Sequence, residues 1–293
     1  LDHFETGEPV GDVSRFLTAN AYLGCWGIVD ALAAGADIVV TGRVTDAAVV
    51  CGPAAWHHGW ARDDWDALAG AVVAGHIIEC GTQATGGNYS FFTEVEGLTH
   101  TGFPWAEIAA DGSSVIGKHA GTGGVVNVGT VTAQLLYEIA SPSYANPDVV
   151  TRFDTIQLAQ EDPDRVRISG TVGEPAPATT KVCINLEGGY RNRMSFVLTG
   201  LDQRRKAEWL TEALFRRVGG RERFDEVDVR LVEAPSDAPT QEQASGRLHI
   251  TVKSRDERLA GKAFSGAAIE LALANYPGFF ATGGPSEAQS YGV

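Results

Sequence analysis

Three short stretches carry residue types that can do chemistry. In ADIVVTGRVTDAA (36–48), Arg43 follows the β-branched run 37–41, and Asp46 comes three residues later. A guanidinium grips a carboxylate or phosphate through two parallel hydrogen bonds. In α/β sheets, ligands collect beyond the carboxyl ends of strands. If 37–41 is a buried strand, Arg43 stands at such an end. The plainer alternative is that Asp46 pairs with Arg43, or that Thr45 and Asp46 cap the next helix.

The second stretch is GHIIECGTQATGGN (75–88). Val72, His76 and Cys80 recur at i, i+4 and i+8, so they share one helix face, with Glu79 beside them. Imidazole and carboxylate are general acids or bases, and a thiol is a candidate nucleophile. Glu79, His76, Cys80 and Asp46 are therefore the candidate catalytic residues. The negative end of a helix dipole raises a thiol's pKa, which counts against Cys80 as a thiolate. A small buried cysteine and a histidine bonded to a carbonyl are the alternative. Thr85, Gly86, Gly87 and Asn88 follow, two polar side chains around glycines that let backbone approach a ligand closely.

The third stretch is GKHAGTGG (117–124), in which Lys118 precedes Thr122, Gly123 and Gly124. Backbone amides before a helix attract anions, and Lys118 adds a point charge. The lysine precedes the glycines, so this is not a Walker A loop, and Val126 replaces the third glycine of GxGxxG. A plain tight connection is the alternative. GxSxG, HExxH and EF-hand patterns are absent. His76-x-x-Glu79 offers two metal ligands, too few for a site, and no metal is expected.

The elements that must position these residues follow from patterning. A helix is expected within 21–35, a strand at 37–41, a helix from 45 that Pro53 kinks or ends, and a helix over 63–81. A hairpin turns at Asp111-Gly112, and a further helix covers 131–140. Beyond Pro142 and Pro147, strands cluster, with an amphipathic helix over 202–218 and a further helix over 261–276. The fold class is α/β: a layered α/β first half (1–150) carrying the motif loops, then an α+β sandwich with antiparallel sheet (151–293).

Bulk properties bound the function. The 293 residues are 44% apolar and 20% charged, enough for a sizeable core. The net charge of −14 argues against nucleic acid and anionic membrane as partners. Apolar runs fall short of the ~20 residues of a membrane span. Cys25, Cys51, Cys80 and Cys183 lack CxxC or zinc spacing, so neither a disulfide framework nor a structural metal is expected, and a reducing cytoplasm fits. No signal peptide is visible; the chain opens at Leu1 and ends on SYGV, and is expected to be an interior piece of a longer protein.

Taken together, TGRVTDAA, ECGTQATGGN, GFPWAEIAADGS and GTGGVVNVGT, in this order, resemble the acyclic terpene utilisation (AtuA) family. The resemblance runs through most of 15–175 and more loosely to ELALANYPGFF near 269–280. It implies an additional N-terminal α/β segment in other members. It implies a role in catabolism of acyclic terpenoids or branched acids, handled as coenzyme A thioesters. No cofactor is expected beyond CoA as part of the substrate. It also implies a small ferredoxin-fold companion, fused or separate. It supplies no catalytic residues.

The leading expectation is a hydratase- or lyase-like enzyme on an acyl-CoA or carboxylate. Glu79 or His76 would move a proton, Arg43 would hold a carboxylate, and the glycine loops with Lys118 would hold an oxyanion or phosphate. A homo-oligomer is expected. The alternative is a non-catalytic assembly or accessory subunit whose glycine loops are interface turns.

Overall fold

The computed structural model describes residues 1–235 and 237–293. Its helices are α1 (Trp26–Ala33), α2 (Ala48–His58), α3 (Trp65–Ile78), α4 (Val128–Leu135), α5 (Gln203–Arg217) and α6 (Phe264–Glu270). The first strands are β1 (Phe16–Ala21), β2 (Pro104–Ile108), β3 (Ser114–Lys118), β4 (Ser143–Ala145) and β5 (Val150–Arg152). The rest are β6 (Gln157–Asp162), β7 (Arg165–Ser169), β8 (Val172–Glu174), β9 (Val182–Leu198), β10 (Glu226–Val232), β11 (Gly246–Ser254), β12 (Phe280–Ala281) and β13 (Gln289–Gly292). Helices and antiparallel sheets alternate along the chain, so the fold is mixed α/β. The chain forms two compact units: Asn20–Cys183, and Leu1–Ala19 together with Ile184–Val293.

The unit Asn20–Cys183 is built around α3, in which every residue from Ala67 to Ile77 is buried. A helix apolar on all sides must be surrounded, and small residues let the neighbours come close. A Cβ on Gly70 would stand 2.1 Å from the carbonyl oxygen of Gly112, at the turn joining β2 and β3. A Cβ on Gly75 would stand 2.8 Å from Cα of Ala47, at the start of α2. Two antiparallel sheets complete the unit, ordered β2-β3-β7-β6 and β4-β5-β8. One apolar cluster joins Cys51, Leu68 and Val72; a second joins Ile77, Ile116, Val131 and Ile168.

The structure differs from the pattern reading at several places. Residue 150 falls inside this unit, because β3 pairs with β7 across it, Ile116 opposite Val166. The expected strand 37–41 has no ladder partner, and Ile38 and Val40 are 84% and 91% exposed. A β-branched run favours extended backbone, but only a neighbouring strand makes it part of a sheet. Among the described residues, parallel pairing is limited to the single bridges Leu23–Val44 and Thr101–Gly123. Arg43 therefore does not end a sheet strand. Helix α2 runs through Pro53 and stops at Gly59, whose φ of 66° closes it. Neither Thr45 nor Asp46 caps it through a side chain.

In the other unit the two strands read around 180–198 are one, the 17-residue β9. Sheet order is β1-β9-β11-β10, with β12 and β13 also pairing with β9. The run β9-α5-β10-β11-α6-β12 with that order is the split β-α-β arrangement of ferredoxin-like folds. Alternation decides the faces: Met194, Phe196, Leu198, Leu248, Ile250 and Val252 point inward onto α5 and α6. No helix among the described residues is long and apolar enough to cross a membrane.

Candidate functional site

His76 sits near the C-terminal end of α3 and Glu79 just past it, where the helix changes from wholly buried to partly exposed. Spacing of three residues brings the side chains together on one face: His76 Nδ1 lies 3.1 Å from Glu79 Oε1. In that hydrogen bond the imidazole Nδ1–H donates and the carboxylate oxygen accepts. The imidazole is 2% exposed and the Glu79 side chain 16%. Glu79 thus spans from a buried histidine to the surface.

Residues on either side of the expected domain break line this place. The His76 ring packs at 6.0 Å on Tyr144 and edge-on at 5.7 Å on Phe153. Thr151 stands opposite Tyr144 in the β4–β5 ladder. Gln134 of α4 donates to the His76 carbonyl at 3.1 Å. Three buried polar atoms of this neighbourhood have no hydrogen-bond partner: His76 Nε2, Gln134 Oε1 and Thr151 Oγ1. Buried polar groups are paired as a rule, so an unpaired imidazole nitrogen in this neighbourhood is an exception to that rule.

The surface side is acidic. Partial desolvation, and then the charges of Glu79, Glu138 and Asp46, push the Cys80 thiol up, against an opposing contact with Gln134. Burial, followed by the charges of Glu79, Asp46 and Glu138, pushes the Tyr144 phenol up. The contact with Glu138, and then its charge, pushes Tyr137 up. Cys80 is therefore a protonated thiol at neutral pH and a poor nucleophile. Among the described residues no three metal-ligating side chains converge.

Asp46 reaches this neighbourhood because the start of α2 packs on Gly75. Its carboxylate is 2.9 Å from Arg43, which also donates to the Val44 carbonyl at 2.8 Å. Arg43 stacks on Tyr22 at 5.1 Å, and Lys181 lies over the same ring at 5.3 Å. Two cations share one aromatic ring beside the acidic group.

The glycine loops are placed differently. Lys118 pairs with Asp164 at 3.0 Å and donates to the Thr122 carbonyl at 2.9 Å. The Thr122 hydroxyl donates to the His119 carbonyl, and that of Thr85 to the Gly102 carbonyl at 2.8 Å. The amides of Gly123, Gly124 and Val125 bond the carbonyls of His100, Glu96 and Thr85. Gly86 turns the chain at φ 103°, and a Cβ on Gly87 would meet the Thr82 carbonyl at 2.9 Å. Asn88 is exposed. These loops interlock with one another, and the amides of Gly86, Gly87, Gly123, Gly124 and Val125 are bonded to carbonyls.

The spacing reading brings His76 and Glu79 together, as the structure does, and does not include Tyr144 and Phe153, which pack on His76. The signal was the β-branched Val149-Val150-Thr151 after Asn-Pro-Asp, a short strand leaving a turn.

Mixed α/β units of antiparallel sheets, one centred on a buried glycine–alanine helix, define the class of this protein. The chain belongs to the acyclic terpene utilisation family AtuA, whose model matches residues 2–293. No curated protein and no solved structure matches it. Membership ties the chain to acyclic terpene utilisation.

Proposed function

We propose that this chain is an enzyme of acyclic terpenoid or branched-acid breakdown that moves a proton on a carboxylate or acyl-CoA thioester, in hydratase- or lyase-type chemistry. The observation that carries the reading is the His76–Glu79 pair, with the histidine buried and the carboxylate at the surface. Glu79 is the proton-transfer group. His76 is a positioning residue that fixes the carboxylate's orientation from behind and shares its proton. Arg43 and Lys181, around Tyr22, supply the positive charge that a carboxylate substrate requires. The loops 85–88 and 122–124 brace one another through the bonds of Gly123, Gly124 and Val125 to His100, Glu96 and Thr85, and serve as a scaffold beside the proton-transfer pair.

The test is solvent-deuterium incorporation into branched acyl-CoA thioesters and branched carboxylates, followed by mass spectrometry. The chain is expected to catalyse exchange at one carbon, and Glu79→Gln to lose about 10²–10⁴-fold of it. His76→Gln is expected to lose less and to displace the pH–rate profile. Absence of exchange across the panel would leave the non-catalytic accessory subunit as the better reading.

A further inference from the structure

The unit formed by Leu1–Ala19 and Ile184–Val293 has a second chemically distinctive surface, independent of the proton chemistry above. One face of its sheet is covered by α5 and α6. Alternation sends Arg193 and Ser195 of β9, and Arg247 and His249 of β11, to the other face. The register aligns three residues in a row: Ser195 opposite His249, and His249 opposite Arg230 of β10. Ser195 Oγ lies 2.8 Å from His249 Nδ1. Arg247 is two residues along the strand from His249, and Arg193 is diagonal to it, both within the reach of a long side chain; the Arg247 guanidinium donates to the Ser245 and Gly246 carbonyls at 3.1 and 3.2 Å.

The positive charge here is poorly compensated. Asp228, in the adjoining row, reaches Arg230 only at 4.0 Å. Arg193 and Arg247 have no carboxylate within 4.0 Å among the described residues. Desolvation, and then the charges of Arg193, Arg230 and Arg247, hold the His249 imidazole below its ordinary value. Like charges placed together on a sheet face are destabilising unless an anion offsets them. On a chain of net charge −14, gathering three arginines around one hydroxyl–imidazole pair runs against the overall composition.

We propose that Ser195 and His249, with Arg193, Arg230 and Arg247, form a binding site for a phosphate group on the open face of this sheet. Guanidinium forks and a hydroxyl match the several oxygens of a phosphate. Arg230 shares the Ser195–His249 row, and Arg193 and Arg247 stand one row to either side of it on the same face, so the three cations flank one hydroxyl–imidazole pair, a grouping suited to a compact anion. The overall negative charge opposes a nucleic-acid polymer.

The experiment is a titration of the whole chain with inorganic phosphate and, separately, coenzyme A. The readouts are the imidazole nitrogen signals of His249 and calorimetry, with chloride at matched ionic strength as control. Saturable shifts at His249 are expected with phosphate and not with chloride. The Arg193→Gln/Arg247→Gln double variant is expected to weaken binding at least about tenfold, and Ser195→Ala to weaken it less. These positions are solvent-facing, and an unchanged circular dichroism spectrum confirms that the variants fold. Coenzyme A binding about tenfold more tightly than phosphate would identify a phosphate ester as the ligand; equal affinities would identify free phosphate. No saturation up to about 20 mM phosphate, or affinity unchanged in the double variant, would overturn the proposal. So would capture of poly-glutamate without any response to phosphate.

Discussion

At the scale of residues, charge is placed where a partner exists, and the partner sets what the charge can do. Arg43 and Asp46 are both well exposed, 41% and 61%. Their pair is worth about 0–1 kcal/mol, so Arg43→Lys is expected to leave the denaturation midpoint almost unchanged. If Arg43 grips a substrate carboxylate, the same variant raises KM about tenfold or more, because lysine keeps the charge and loses the fork. An unchanged KM in the folded variant would restrict Arg43 to its pair. Asp148 poses the opposite case. It is buried, its carboxylate accepts from the Cys25 amide at 2.8 Å, and burial raises it above 3.8. A raised carboxyl stabilises the fold fully below the unfolded value, and that stability is lost as pH rises through the folded one. Asp148→Asn cannot ionise. Relative to the parent chain it is expected to gain stability at pH 7.5, with the gain closing towards pH 4 and below. Urea denaturation at the two pH values checks this, and an equal difference at both would contradict it.

At the scale of elements, α3 decides where the site is. Its glycines exist for neighbours, not for flexibility. Gly70→Ala would drive a methyl group into the Gly112 carbonyl, and about 1–3 kcal/mol of destabilisation is expected. Gly27, in α1, is the control: nothing lies within 4 Å of the place a methyl group would take there, so Gly27→Ala should gain up to ~1 kcal/mol from helix propensity. Urea midpoints of the two variants moving in the same direction would refute this account of α3. The pattern 63–81 was legible because small apolar residues run from Ala67 to Ile77 between acidic residues and Gly81. The run 37–41 was misread because β-branched sequence reports local backbone preference and carries no information about a partner strand.

At the scale of the whole molecule, both apolar clusters around α3 are made only of residues between Cys25 and Ile168. Expressed alone, residues 20–183 are therefore expected to fold, with a cooperative melt and helical circular dichroism; a non-cooperative, unstructured fragment would disprove it. The separate cluster of Phe196, Leu210, Ile250 and Phe264 serves the other unit.

By itself, the sequence determined the mixed α/β class, the main helices, the hairpin at Asp111-Gly112 and the adjacency of His76 and Glu79. All of these rest on spacing within one element, where geometry is set by a period of about 3.6 or 2 residues. Only the tertiary structure decided that Tyr144 and Phe153 pack on His76, that Lys118 pairs with Asp164, and that Ser195, His249 and Arg230 line up across three strands. Those contacts join residues up to 77 apart in sequence, at His76 and Phe153. They depend on sheet register and on how closely backbones approach, quantities that local propensity does not contain.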